Sequence, residues 1–270
     1  MATEWQDMEL DGSAKSPVSV RVYKGTSRER TPPLVLYLGA SAFQSSTRPD
    51  EERPVARALA DDGAVVLEAD YGGPSGNTFP QAMEFAFQVL AGLYAQRKHF
   101  AGARSRLFIA GEESGGTVAA GVALKARDQM PGQLSGQMLL SPMIDPLMSS
   151  TSMRRADEIG MRNRWSDGWS HYLKDACSAY HPYASPCLCS RLNGVAPALV
   201  MTAEDDPLKD EALAYATRLA DAGVDVARET LPAGSGWTDL FKNGDGPWIE
   251  RICARFAALS RPMKSCMQLG

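Results

Sequence analysis

The strongest constraint on the fold is a series of short, unbroken apolar runs that take turns with longer stretches of helical spacing. The runs are Leu34–Leu38, Ala64–Ala69, Arg106–Ala110, Gln137–Leu140 and Ala198–Thr202. A run without polar alternation predicts a strand buried on both faces. Helical spacing covers Arg53–Asp61, Phe79–Arg97, Thr117–Asp128 and Lys209–Ala222. Alternation of this kind predicts an α/β fold: a mostly parallel central sheet with helices on both faces. Val18–Tyr23 alternates and stops at Lys24-Gly25, which predicts an outer antiparallel strand. Val224–Thr230 adds a strand and Pro247–Leu259 a closing helix. With 270 residues, 44% of them hydrophobic, the chain can bury a full core, and one domain over 1–270 is expected.

The centre of the pattern is Leu107-Phe-Ile-Ala-Gly111-Glu112-Glu113-Ser114-Gly115-Gly116-Thr117. An apolar run ends on a glycine, turns through five residues and continues as a helix of small residues that can pack close to the strand. A frame G-x-S-x-G at such a turn holds a nucleophile above a sheet. Here Gly111 and Gly115 are in place, Glu113 stands where serine is expected, and Ser114 is one residue late. The other interruption is the stretch of about 145–186, rich in Met, Arg, Trp and Tyr, which reads as a small helical lid with its helix near Asp167–Ala179. Trp165 and Trp169, four apart, are suited to lining a ligand pocket or to packing.

Composition excludes several classes of function. A net charge of -4 gives no basic field for nucleic acid, and no apolar stretch reaches the length of a membrane span. The acidic start, Met1 to Gly12, lacks the features of a signal peptide, so a cytoplasmic location is expected. The five cysteines are odd in number and have no framework spacing, so they read as reduced thiols. Cys187-Leu-Cys189 lacks a second ligand pair; no metal and no cofactor are expected.

Four segments resemble the hormone-sensitive-lipase-like branch of the α/β-hydrolases, the acetyl-esterase and lipase group. Leu34-Val-Leu-Tyr-Leu-Gly-Ala-Ser-Ala-Phe43 resembles the oxyanion stretch, and Glu68-Ala-Asp-Tyr71 with Phe79-Pro80 resembles the D-Y-R-L-A-P...F-P segment. Ala110 to Gly116 is similar to the elbow, and Pro197 to Glu211 to the acid loop. The resemblance covers nearly the whole chain, but with the first strand near Val18 the N-terminal cap is nearly absent. It implies an α/β-hydrolase fold, a small partly apolar ligand and a homodimer. It also places the triad at Glu113, Ser235 and Asp206, and only the acid, Asp206, is retained. The H-G-G-G loop reads Gly39-Ala40-Ser41-Ala42, and P-x-x-H-G-F reads Pro232-Ala-Gly-Ser235-Gly236-Trp237.

No other residue rebuilds the triad. His99 follows a helix, and His171 and His181 belong to the lid. Ser114 reads as a helix-capping hydroxyl and Ser41 as pocket lining. Glu113 lies at a helix N-terminus, which favours negative charge. Three roles remain open for it: a plug of a lost site, a general base, or a carboxylate that recognises a ligand. The pocket is expected to be lined by Gly39, Ala40, Ser41, Glu112, Ser114, Trp165, Trp169 and Trp237. The function expected is a non-hydrolytic binding or interaction protein on an esterase scaffold. The alternative is a carboxylic-ester hydrolase or lyase that uses Glu113 or Ser114.

Overall fold

The computed structural model describes residues 4–10, 18–25, 31–44, 52–72 and 78–261. Eight strands form one sheet: β1 (Glu4–Leu10), β2 (Val18–Lys24), β3 (Leu34–Leu38), β4 (Val65–Ala69), β5 (Leu107–Glu112), β6 (Leu134–Leu140), β7 (Ala198–Ala203) and β8 (Val226–Leu231). Their order is β1-β2-β4-β3-β5-β6-β7-β8; β2 runs antiparallel to both of its neighbours, β1 and β4, and every other pairing is parallel. The expected parallel sheet is therefore observed, and all five apolar runs are strands.

One reading is corrected. β2 is not outermost, because β1 pairs along its whole length, with Trp5 opposite Tyr23. In β1 only Leu10 is fully buried, so its polar sequence carries no apolar run to betray it. Arg21 of β2 lies 4.0 Å over the Trp5 ring.

Helices α2 (Gln81–Phe100), α3 (Glu113–Gln129) and α6 (Lys209–Asp221) cover one face of the sheet, and their buried residues share one core. Helices α1 (Pro54–Asp61) and α7 (Trp248–Leu259) cover the other, where Val55, Leu59, Ile252 and Phe256 meet Val35, Phe108 and Leu199. His99 lies within the last turn of α2 rather than after it. The lid comprises a 3-10 turn at Ser152–Asp157, α4 (Arg162–Tyr172), α5 (Ala176–Ala179) and a 3-10 turn at Pro186–Leu188. Its main helix thus starts five residues before the predicted one, and a break at Leu173 to Asp175 divides the expected single stretch.

The elbow is sharper than the five-residue turn expected: β5 ends at Glu112 and α3 begins at Glu113. A Cβ on Gly111 would lie 2.3 Å from Gly115 O, and one on Gly115 would lie 2.2 Å from Leu38 O. Both glycines are therefore demanded by the strand-helix contact. Neighbouring strands β3 and β5 leave the sheet in different directions at their carboxyl ends, and such a place in an open parallel sheet forms a crevice. The ends of β3, β5, β6, β7 and β8 carry the loops that hold residues 39–44, 113, 141, 206 and 232–237.

Candidate active site

Glu113 adopts φ 50°, the left-handed conformation that costs a non-glycine residue about 1–3 kcal/mol. Ala42, Phe43 and Ser141, on the loops around it, also have positive φ, at 51°, 53° and 41°. Strain gathered in this way is kept only where the surrounding packing over-determines the backbone. The elbow geometry is therefore held with Glu113 at its tip.

The Glu113 side chain is 1% exposed and both of its oxygens are engaged. Ala42 N–H donates to Oε2 at 2.7 Å, and Ser114 Oγ donates to the same oxygen at 3.2 Å. Trp165 Nε1–H, from lid helix α4, donates to Oε1 at 2.6 Å. The carboxylate thus lies against the loop that resembles the oxyanion stretch and takes up its Ala42 amide. Instead of protruding into open space it is covered by the lid, with Trp165 also set edge-on to Phe241 at 5.3 Å.

Ser114 is buried and does not cap its own helix, which corrects the capping reading. Its Oγ accepts Ser41 N–H at 3.1 Å and lies 2.8 Å from the Tyr71 hydroxyl. Tyr71 donates to Gly39 O at 2.9 Å and reaches Ser41 Oγ at 3.1 Å. These contacts tie the oxyanion-like loop to the elbow, and burial pushes the Tyr71 phenol up, keeping it protonated. Ser41, 4% exposed, belongs to this network rather than to an open pocket wall.

At the acid position, Asp206 is fully buried and holds three donors. Ser141 Oγ and Thr202 Oγ1 (2.5 Å) donate to Oδ2, and Leu208 N–H donates to Oδ1 at 2.8 Å. Burial raises the Asp206 pKa, and these hydrogen bonds oppose the rise. Trp237 Nε1–H donates to Ser141 Oγ at 2.6 Å while its ring packs against Trp248 with centroids 5.5 Å apart. Ser235, at the position the resemblance gives to the base, has a buried Oγ with no partner among the described residues and makes no bond to Asp206. The group linked to the acid from this loop is Trp237, through Ser141.

Glu112 is not in the pocket either. It belongs to a buried cluster in which Arg53, 3% exposed, pairs with Glu68 at 2.7 Å and with Glu112 at 3.4 Å. Tyr37 donates to Glu112 and Tyr23 to Glu68, the latter at 2.9 Å. Burial raises the Glu112 pKa, opposed by the Arg53 charge and the Tyr37 hydroxyl. Ala40 N–H donates to Glu112 at 3.3 Å, while Ala40 O accepts from Arg53 Nη2 at 3.4 Å. Gly39 and Ala40 are thus anchored from beneath.

The structure brings Gly39, Ser41, Glu113, Ser114 and Trp165 into one network and Asp206 with Trp237 into a second, while Ala40 is tied to Glu112 and Arg53. Trp169 stands apart: it packs on Phe43 at 5.1 Å and lines a separate pocket in the lid. His181 lies tilted against Phe79 at 5.0 Å and edge-on to Tyr183 at 5.1 Å, away from both networks. Sequence reasoning missed Tyr71, Ser141, Thr202 and Arg53 as site residues. Tyr71, Glu68 and Thr202 lie within segments that carry the family resemblance, whereas Ser141 carries no local signal. Among the described residues no group of His, Cys, Asp and Glu could hold a metal ion, and Cys177, Cys187, Cys189 and Cys253 are free thiols. Cys266 lies outside the described residues. No helix described is long and apolar enough to cross a membrane.

Comparison with known proteins places this geometry in a family. Residues 35–234 match the family model described as alpha/beta hydrolase fold. The carboxylic ester hydrolase LipN of Mycobacterium tuberculosis is 30% identical, with 94% of this chain and 70% of LipN covered. The gibberellin receptor GID1C of Arabidopsis thaliana is 28% identical, over 78% of this chain and 64% of the receptor. Among solved structures, the carboxylesterase EstE1, cloned from a metagenomic library, superposes with a TM-score of 0.83 at 25% identity, covering 97% of this chain and 91% of EstE1. By its family match, its esterase relatives and its sheet, the chain belongs to the α/β-hydrolase superfamily, in the hormone-sensitive-lipase-like branch.

Proposed function

We propose that this chain uses an esterase scaffold to bind a small, partly apolar molecule and does not carry out acyl transfer. The observation that carries the reading is the occupancy of the elbow. Glu113 already holds the Ala42 amide and the Trp165 indole, so the place of an oxyanion is taken by a resident carboxylate. Serine-type acyl transfer needs a nucleophile, a base beside it and an acid that orients the base. At the base position stands Ser235, and Asp206 is saturated by Ser141, Thr202 and Leu208. The relative named as a gibberellin receptor is consistent with a scaffold of this kind serving as a receptor.

A second reading, a carboxylic-ester hydrolase or lyase with a non-standard site at Glu113 or Ser114, draws on the relatives named as esterases. Hydrolysis of short-chain aryl esters separates the two. The purified protein is expected to show no turnover above that of a Glu113→Ala variant. Turnover that depends on Glu113, or on Ser114 in a Ser114→Ala variant, would establish the hydrolase instead.

A further inference from the structure

We propose that the ligand site of this protein is a pocket within the lid, and that it takes an uncharged, largely apolar small molecule carrying one carbonyl-type acceptor. The proposal rests on the binding-protein reading above and gives it a location and a ligand class. The pocket measures about 330 Å³, at the small end of the usual range for ligand sites. Its apolar wall includes Leu147, Leu173, Leu188, Trp169 and Tyr180. No residue of the elbow, the acid loop or the 232–237 loop lines it.

Three observations define the occupant. First, the exposed large hydrophobic side chains among the described residues are Trp5, Leu147, Tyr180 and Leu188, and all but Trp5 border this one pocket. A cluster of that kind on an otherwise ordinary surface marks an apolar binding site. Second, no lysine or arginine lines it and the Asp145 carboxylate is at its wall, which disfavours an anion. Asp145 is itself occupied by Leu147 N–H at 2.9 Å and Ser149 Oγ at 3.2 Å, so it does not wait for a cation. Third, Trp169 is 4% exposed, its Nε1–H has no acceptor among the described residues, and the atom is not sealed from solvent. Water meets an indole donor that solvent reaches, and a ligand that displaces that water keeps the donor satisfied only by supplying an acceptor of its own. The small volume favours a compact molecule over a protein segment.

The fluorescent neutral dye Nile red serves as the probe, with benzophenone and diphenylmethane as competitors that differ in one carbonyl. Saturable binding of the dye is expected, weakened at least about tenfold by Leu188→Asp or Leu147→Asp. Both positions are exposed, so thermal unfolding of these variants should match the parent. Benzophenone should displace the dye at about fivefold lower concentration than diphenylmethane, and Trp169→Phe should abolish that preference while leaving diphenylmethane within about twofold. The proposal is overturned by any of the following: no saturable binding, binding indifferent to both aspartates, equal competition by the two compounds, or tighter binding of anionic anilinonaphthalene sulfonate. A dimer that dissociates in Leu188→Asp would also overturn it, since the patch would then cover a second copy. Ester turnover is measured apart from dye binding, so an active elbow with this pocket filled, or an inert elbow with it empty, are separate results.

Discussion

Both oxygens of Glu113 are engaged before any ligand arrives, and this bears on whether a serine triad can be installed at the elbow. Glu113→Ser with Ser235→His would supply a nucleophile and an imidazole. Asp206, however, is held by Ser141 and Thr202, and Trp237 occupies the approach through Ser141. The double variant is therefore expected to give little or no turnover of an activated ester. Adding Ala40→Gly, Ser41→Gly and Trp237→Phe, with Gly39 kept, should raise turnover far more than additively, because members of a triad act as a unit. Substantial activity in the double variant alone would show that Asp206 exchanges its partners freely. The occupied positions 113, 206 and 235 could be named from the sequence because strand ends fix them along the chain. What each side chain touches could not. Thr202 precedes Asp206 by four residues on the same strand end, but Ser141 meets it only because β6 and β7 are neighbours in the sheet, and no spacing in the sequence carries that adjacency.

Among the elements, the lid helix α4 decides how the site is closed. Trp165, Gly168, Trp169 and Tyr172 form its buried face. At Gly168 a Cβ would lie 1.9 Å from Ala42 O, so helix and oxyanion-like loop approach to backbone distance. Phe43, next in that loop, stacks on Tyr172 at 4.1 Å with planes 9° apart. Gly168→Ala should push α4 off the loop at a cost of roughly 1–3 kcal/mol. A lower Tm and faster proteolytic cleavage within residues 145–186 would record it; an unchanged Tm would mean that the backbone absorbs the methyl group. Strands were read closely because a run buried on both faces needs continuous apolar sequence. The lid and β1 were read less well for the complementary reason. Their half-exposed residues mix polar and apolar types, so their boundaries depend on partners distant in the chain.

In the molecule as a whole, carboxyls buried beneath the carboxyl edge of the sheet link stability to pH. Burial pushes Glu211 well above the usual carboxylate range, against the N–H groups of Ile144 and Asp145, with Asp145 and Asp206 adding to the rise. The folded chain keeps this proton where the unfolded chain, with a pKa of about 4.3, has lost it. Its contribution therefore declines as pH rises from there towards the folded pKa. Glu211→Gln should raise Tm relative to the parent more at pH 8 than at pH 5, and an equal difference at both would refute the assignment. Beneath the elbow, the Arg53 cluster has a consequence for which substitutions the loop can accept. A Cβ at Gly39 would fall 2.0 Å from Arg53 Cζ, so the loop cannot gain a side chain there while the guanidinium remains. Losing Arg53 first would strand Glu68 and Glu112, and breaking such a buried pair costs about 3–5 kcal/mol. The two positions are thereby interlocked: a side chain at 39 and a change of the guanidinium are tolerable only in concert.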